Sequence, residues 1–418
     1  PYQLVTERQK DEYCNNYKTN CHVCDSSDLK RVVSLGNSPL ANNLVKDESE
    51  KEDMFPLEMN YCSNCHLCQL SYIVPRSKLF DNYLYVSSTT SSFKKHFEEF
   101  AIKLIKEYNL DKNSLVVDIG SNDGIFLKPL NNYNIRTIGV EPARNICEIA
   151  RKNGIDTIEG YFSSKTVDEI IKLKGKADIV TAANVFAHVD NIKELTKNAF
   201  DLLKENGRFI IEVQYLLDTI KDLSFDNIYH EHIFYYSVTS LLEFFKRQDL
   251  YIYNVEHIDT HGGSIRVYIK RNNKEIHESV SDFLKKEMGF GINKIETYEQ
   301  FSKNIEKKKE KITKEIENIK NSGKKIVGYG SPAKATTVLN YYGISDKEID
   351  FIIEDNKLKH NHFLPGVRIP IKDRSFLNYN PDYILILAWN FAEEIKKNNK
   401  DIIDKGTKFI TLNELTEW

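Results

Sequence analysis

The sequence predicts an α/β protein in three parts: a small cysteine-rich N-terminal domain, a central domain on an open, mostly parallel sheet, and a second, smaller βαβ domain. Three observations carry this. Two Cys-x-x-Cys pairs stand near the start, Cys21–Cys24 and Cys62–Cys65. Short apolar runs alternating with glycine turns and helical stretches recur from Ser114 to Arg271. A fresh strand, glycine turn and helix begin at Lys325, after a long charged helical stretch. At roughly 150 residues per domain, 418 residues suit two or three domains, placed here at 1–80, 81–272 and 273–418.

Acids and bases nearly cancel, leaving a formal net charge of -3, so nothing marks a nucleic-acid or membrane-surface binder. No apolar run approaches the roughly 20 residues of a membrane helix, and PYQLVTERQKDEYC has no apolar signal-peptide core. The expectation is a soluble, cytoplasmic monomer or small homo-oligomer with no nucleic-acid or membrane partner.

Of seven cysteines, five cluster between Cys21 and Cys68. Clustered thiols of this kind point to metal more than to a disulfide framework. The pairs CHVC and CSNC supply four thiolates, Cys21, Cys24, Cys62 and Cys65, which suits tetrahedral Zn2+ and leaves no open position. A closed site holds a fold together and does no chemistry. The stretch between the pairs contains LGNSPLANNL, read as a turn-rich loop that depends on the metal for order. Cys68, His66 and His22 are the substitutes if one ligand is misassigned. Buried free thiols are the alternative; a redox pair would want a thioredoxin-like βαβ setting that neither pair has.

In the central part a helical pattern runs from about Phe93 to Tyr108, followed by SLVVDIGSNDGIFLKPL. Leu115–Val117 reads as a buried strand with Asp118 at its carboxyl end. Gly120 and Gly124 flank a tight turn into a helix. Their spacing is not that of a dinucleotide turn, and no Lys-Ser/Thr pair makes a P-loop. The second strand, RTIGV, ends at Glu141, placed to accept hydrogen bonds from ribose hydroxyls. The pocket therefore wants an adenosine-like ligand without a pyrophosphate, which S-adenosylmethionine fits better than NAD. ADIVTAANV is a fourth strand opening into FAHVDN, and GRFIIEVQY a fifth. LYIYNVEHI and GSIRVYIKR are joined by a short loop, which implies an antiparallel final pair. A parallel sheet with one antiparallel strand near its end is the class I methyltransferase arrangement.

Between the fifth and sixth strands lies NIYHEHIFYYS, on the carboxyl side of the sheet. His230 and His232 are two apart and cannot share a helical face, and the segment is too polar for a buried strand. A loop projecting over the cofactor site, as a candidate lid, is expected; a packed aromatic loop with a satisfied histidine is the plainer reading.

After Asn272 the pattern turns helical and charged. IEKKKEKITKEIENIKNSGKK reads as a solvated helix face closing at Ser322-Gly323. KIVGYGSPAKATTVLNYYG then begins the second βαβ domain, with IDFIIEDN and DYILILAWN as further strands. Its glycine turn alone is a weak cofactor signal.

Taken together, CHVC…CSNC, VVDIGSNDGIFL, GVEPA, NVFAHVDN, YHEHIFYYS, HGGSIRVY and GYGSPAKATTVLNY resemble the zinc-containing, S-adenosylmethionine-dependent C-methyltransferases of deoxysugar biosynthesis. The resemblance spans nearly the whole chain. It implies a zinc-binding domain, a class I methyltransferase Rossmann-like domain and a smaller Rossmann-like C-terminal domain that closes the sugar-nucleotide side. It implies methylation of a carbon next to the ketone of a nucleotide-linked 4-keto sugar, through an enolate. By position in the shared motifs His232 looks like the base, accompanied by Tyr229 and Glu231, with His188 facing the same pocket. Tyr83 matches a sugar-site tyrosine and Tyr85 competes with it. Cofactor contacts are expected from Asp118, Gly120, Ser121, Asn122, Gly124, Glu141, Pro142 and Asn184. Substrate contacts are expected from Tyr85, His261, Gly262, Arg266, Ser331 and Lys334, with His362 and Pro365 lining the same crevice. Independently of the family, a proton next to a ketone needs a positioned base and a donor to the developing oxyanion. Tyr229 or His188 could be that donor, and Glu231 could orient an imidazole. Two other readings stand beside this one: a nucleotide-sugar binding protein with a degenerate methyltransferase site, and an NAD-dependent sugar epimerase or reductase. The latter wants a dinucleotide turn, which neither glycine turn supplies.

Overall fold

The structure, a computed structural model, describes residues 16–80, 91–260 and 262–416. Leu29–Pro39 (β1), Met54–Cys62 (β2) and Cys68–Leu70 (β3) pair antiparallel behind the two cysteine pairs. Strand β1 runs to Pro39, so the first half of the expected LGNSPLANNL loop is strand. A register shift between Ser34 and Asn37, with Gly36 at φ 75°, absorbs the turn-forming residues as a bulge. The chain leaves the sheet only at Leu40.

The central sheet contains Leu115–Ile119 (β4), Arg136–Glu141 (β5), Thr157–Glu159 (β6), Ala177–Ala183 (β7) and Leu203–Gln214 (β8). After Phe234–Tyr235 (β9), which pairs elsewhere, Tyr251–Ile258 (β10) and Ser264–Lys270 (β11) complete it. The order is β10-β11-β8-β7-β4-β5-β6. Strands β6, β5, β4, β7 and β8 run parallel, and β11 lies antiparallel between β8 and β10. This is the class I methyltransferase arrangement. Leu115, Val116, Val117 and Val180 are wholly buried, as strands covered on both faces require.

Strand β9 corrects an expectation. It pairs with β3, Cys68 opposite Tyr235 and Gln69 opposite Phe234, and so becomes the fourth strand of the cysteine-bearing sheet. Leu70 N donates to Ile233 O and Ile233 N to Ala187 O, both at 2.8 Å. The peptide is thus a buried wedge between two domains and no lid. Its aromatic residues supply the reason: Ile228, Phe234 and Tyr236 are almost fully buried, and a mobile loop would expose them.

The C-terminal sheet comprises Ile326–Tyr329 (β12), Ile352–Ile353 (β13), Ile371–Lys372 (β14), Tyr383–Ile386 (β15) and Lys408–Thr411 (β16). All pair parallel, in the order β14-β13-β12-β15-β16. The order reverses at β12, which opens a crevice at the carboxyl ends. The charged stretch is the helix Ile295–Asn321, closed by Gly323 at φ 75°. Its buried stripe, from Tyr298 to Ile316, packs toward β1. The helix Glu278–Phe290 packs on β10. Among the described residues no helix is long and apolar enough to cross a membrane.

Candidate functional site

Cys21, Cys24, Cys62 and Cys65 place four Sγ atoms within 4.8 Å of one another. The two pairs fold alike: Asp25 N donates to Cys21 O and His66 N to Cys62 O, each at 2.9 Å, with Asp25 and His66 at φ 59° and 61°. Zinc–sulfur bonds of about 2.3 Å give a tetrahedron with edges of about 3.8 Å. The closest sulfur pairs, 3.4 and 3.5 Å, and the outer limit bracket that edge, so the four thiols fit the ion. The substitutes are not used. Cys68 sits in β3, His66 Nδ1 meets the Tyr61 hydroxyl at 2.6 Å, and the His22 ring packs on Phe234.

A cavity of about 770 Å³ lies where the carboxyl ends of the central and C-terminal sheets face each other. Asp118, Gly120, Ser121, Asn122, Glu141, Pro142 and Asn184 line one end. The Glu141 carboxylate ties the two strand ends together, accepting from Asn122 N at 3.0 Å and Ala143 N at 2.9 Å. Burial nevertheless raises its pKa. Asp118 accepts from Thr181 Oγ1 at 2.6 Å, while burial, seconded by the charges of Glu141 and Glu212, pushes it up to about 7. Gly120 has φ 64°, and a Cβ there would lie 2.4 Å from Val185 Cγ2, so the turn admits only glycine. Gly124 does not line the cavity; at φ 81° it turns the chain over Ile155. Tyr161 and Phe162, which follow β6, add apolar surface beside Glu141.

The wedge peptide forms the middle wall. His232 Nδ1 lies 2.8 Å from Asn227 O, and a carbonyl only accepts, so Nδ1 carries the proton. In the neutral ring Nε2 is then the acceptor, and the Tyr229 hydroxyl stands 2.8 Å from it. The His188 ring packs edge-on at 4.8 Å. Burial drives His188 down to about 4, so it stands there as a neutral ring, held by the main chain of Glu231. Glu231 does not orient the imidazole: its Oε1 accepts from Asn42 Nδ2 at 2.6 Å, and both residues line the cavity. Burial pushes Glu231 up to about 7. His230 points the other way, onto Pro56 O at 3.2 Å.

Ser331 and Lys334 line the far end. Glu354 accepts from Ser331 N at 2.9 Å and Asn356 N at 2.9 Å, repeating in the second domain what Glu141 does in the first. Lys334 is buried over the Trp389 ring at 4.3 Å, and burial lowers its pKa to about 8. Trp389 Nε1 donates to Asp226 Oδ2 at 2.6 Å.

Several expected contacts fall elsewhere. Arg266 does not line the cavity. Its guanidinium is buried between Glu212 (3.2 Å) and Glu256 (3.4 Å) and stacks over Phe100, because β11 sets it directly opposite both acids. Gly262 also lies off the cavity, where a Cβ would strike Trp389. His362 and Pro365 are not at the wall; His362 Nδ1 meets His360 O and Pro365 O takes Asn340 Nδ2. Tyr83, Tyr85 and His261 lie outside the described residues. Sequence reasoning missed Asn42, Arg76, Tyr161 and Glu354. Glu354 carried a signal, an acid ending a buried strand just as Glu141 does; Asn42 carried none.

Three family profiles match in chain order: a zinc binding domain over residues 21–80, a methyltransferase domain over 93–255 and a C-methyltransferase C-terminal domain over 259–412. The C-methyltransferase NovU of Streptomyces niveus is 35% identical over 395 residues, covering 93% of this chain and 94% of its own. A ubiquinone biosynthesis O-methyltransferase of Pelagibacter ubique is 25% identical over 33% of this chain and 58% of its own. Magnesium protoporphyrin IX methyltransferase of Synechocystis, solved with bound SAH, overlaps 43% of this chain and 83% of its own at 15% identity and a TM-score of 0.34. The full-length match to NovU, the three profiles in order and the four-thiol cluster agree: this chain belongs to the zinc-containing, S-adenosylmethionine-dependent C-methyltransferases.

Proposed function

We propose that this enzyme adds a methyl group to the ring carbon next to the ketone of a nucleotide-linked 4-keto-deoxysugar. The observation that carries the reading is the His232–Tyr229 pair, an imidazole and a phenol 2.8 Å apart, at a cavity that Glu141 also lines. Tyr229 first turns its hydroxyl from Nε2 to the ketone oxygen, which frees the Nε2 lone pair. His232 Nε2 then takes the proton from the carbon next to the ketone, and the hydroxyl, a neutral donor in a buried site, stabilises the enolate oxygen that develops. Glu231 accepts a hydrogen bond from a sugar hydroxyl and so sets the ring's orientation. Lys334 and the amides at the start of the helix Ala333–Tyr342 take the phosphates, where a helix N-terminus favours negative charge. S-adenosylmethionine, held by Glu141 and the turn after Asp118, supplies the electrophilic methyl group. Zinc plays no part in the chemistry, since four protein ligands leave it no open position.

The test is mass spectrometry of a panel of nucleotide-linked 4-keto sugars incubated with S-adenosylmethionine. Gain of one methyl on a panel member is expected, and NMR of the product identifies the carbon. A panel that stays unmethylated while other ketones react overturns the substrate class.

A further inference from the structure

Residues 40–52, between β1 and β2, bear no metal ligand, yet all three parts of the chain meet on them. Ala41 O accepts from Thr336 Oγ1 at 2.9 Å, on the helix that also carries Lys334. Val45 and Phe363 exchange two main-chain hydrogen bonds. Arg368 pairs with Glu52 and reaches Glu48 O. Between these braces, Asn42 Nδ2 donates to Glu231 Oε1 at 2.6 Å across 189 positions of sequence. Both residues line the cavity, and Glu231 is buried.

We propose that Asn42 is a positioning residue: its amide, carried by the zinc-bearing domain and braced by the C-terminal one, fixes the Glu231 carboxyl group at the cavity wall as an acceptor for a substrate hydroxyl. The role for the substrate rests on the proposed reaction; the bond does not. A buried carboxyl group without a donor takes up a proton and becomes a donor itself. Burial drives Glu231 that way, and the Asn42 bond opposes it. Among the described residues, the ionisable groups lining the same cavity include His188, Tyr229 and His232 on its own wall, Arg76 from the N-terminal part, Asp118 and Glu141 from the central part, and Lys334, Glu354 and Lys359 from the C-terminal part. Of these elements only the loop bearing Asn42 gives the carboxyl group a side-chain hydrogen bond. The cavity wall therefore depends on a residue that no catalytic motif contains.

The test uses full-length, zinc-loaded protein and needs no sugar. Infrared difference spectra against pH, with Glu231→Gln subtracted, isolate the carboxyl band of Glu231 and its titration midpoint. Asn42→Leu is expected to raise that midpoint by about one to two pH units, the scale of one hydrogen bond to a charged group. Zinc content and S-adenosylmethionine affinity should be unchanged. Asn42→Asp, nearly isosteric, should raise it too, and it decides the matter alone if the leucine variant fails to fold. An unmoved midpoint in a folded variant overturns the proposal. Because the midpoint is read without turnover, a failed sugar panel would leave this result standing, and the reverse also holds.

Discussion

His232 Nδ1 is 2.8 Å from the carbonyl oxygen of Asn227, and that one contact decides which ring nitrogen can act as a base. It pins the tautomer with the lone pair on Nε2, toward Tyr229 and the cavity. Asn227 is itself held, through its side chain, by Gln214 at the end of β8.

His232→Asn should therefore lower methyl transfer about 100-fold or more, the usual scale for a general base. Exchange of the sugar's ring proton in deuterated water should fall with it. His230→Asn is the control. It loses the contact with Pro56, so its melting temperature should drop while turnover of the folded fraction holds. Exchange lost in His230→Asn but kept in His232→Asn would reverse the assignment.

Glu141→Ala should weaken S-adenosylmethionine binding about 10- to 100-fold, the cost of losing a charge-assisted hydrogen bond. Calorimetric titration measures this directly. Unchanged affinity would place the cofactor elsewhere in the cavity.

Arg266→Met should act on stability and spare substrate affinity. Removing the guanidinium leaves Glu212 buried with His96 as its remaining partner, and breaking a buried pair costs about 3–5 kcal/mol. Chemical denaturation reports the loss. A variant of normal stability but raised KM would return Arg266 to the substrate site.

Cys62→Ser should cost the bound zinc, and with it the ordering of the sheet that β9 joins. Hydrogen exchange at Phe234 and Tyr235 should quicken together with that of β3. Fresh, unchelated wild-type protein without zinc on metal analysis would sink the metal assignment.

Lys334 links pH to ligand and to fold in opposite senses. Burial brings its proton loss in the folded chain to about 8, against 10.5 for an ordinary lysine. Between those values the unfolded chain binds more protons, so this residue's contribution to stability rises with pH across that window. A phosphate prefers the charged amine, so affinity for a nucleoside diphosphate should fall as pH climbs through about 8. Lys334→Met should weaken binding about 10- to 100-fold at neutral pH and flatten that dependence. Calorimetry from pH 7 upward would tell, and a Lys334→Met profile parallel to wild type would remove the lysine from the phosphate site.

What the sequence by itself determined lies within short stretches of chain. The cysteine pairs fold as separate turns of one shape, the strand bearing Asp118 and the acid at Glu141 follow from local apolar runs and turns, and Gly323 ends the long helix. Each rests on interactions among near neighbours, so spacing exposes it. Tertiary structure decided the rest. Whether YHEHIFYY would be lid or wedge depended on β3 offering an open edge to Phe234 and Tyr235. Arg266 became an ion-pair residue because strand register set it opposite Glu212 and Glu256, and a one-residue slip would turn its side chain to the other face. Asn42 met Glu231 only because three domains closed on one loop. Register and domain docking arise from contacts between distant segments, and no local pattern in the chain records them.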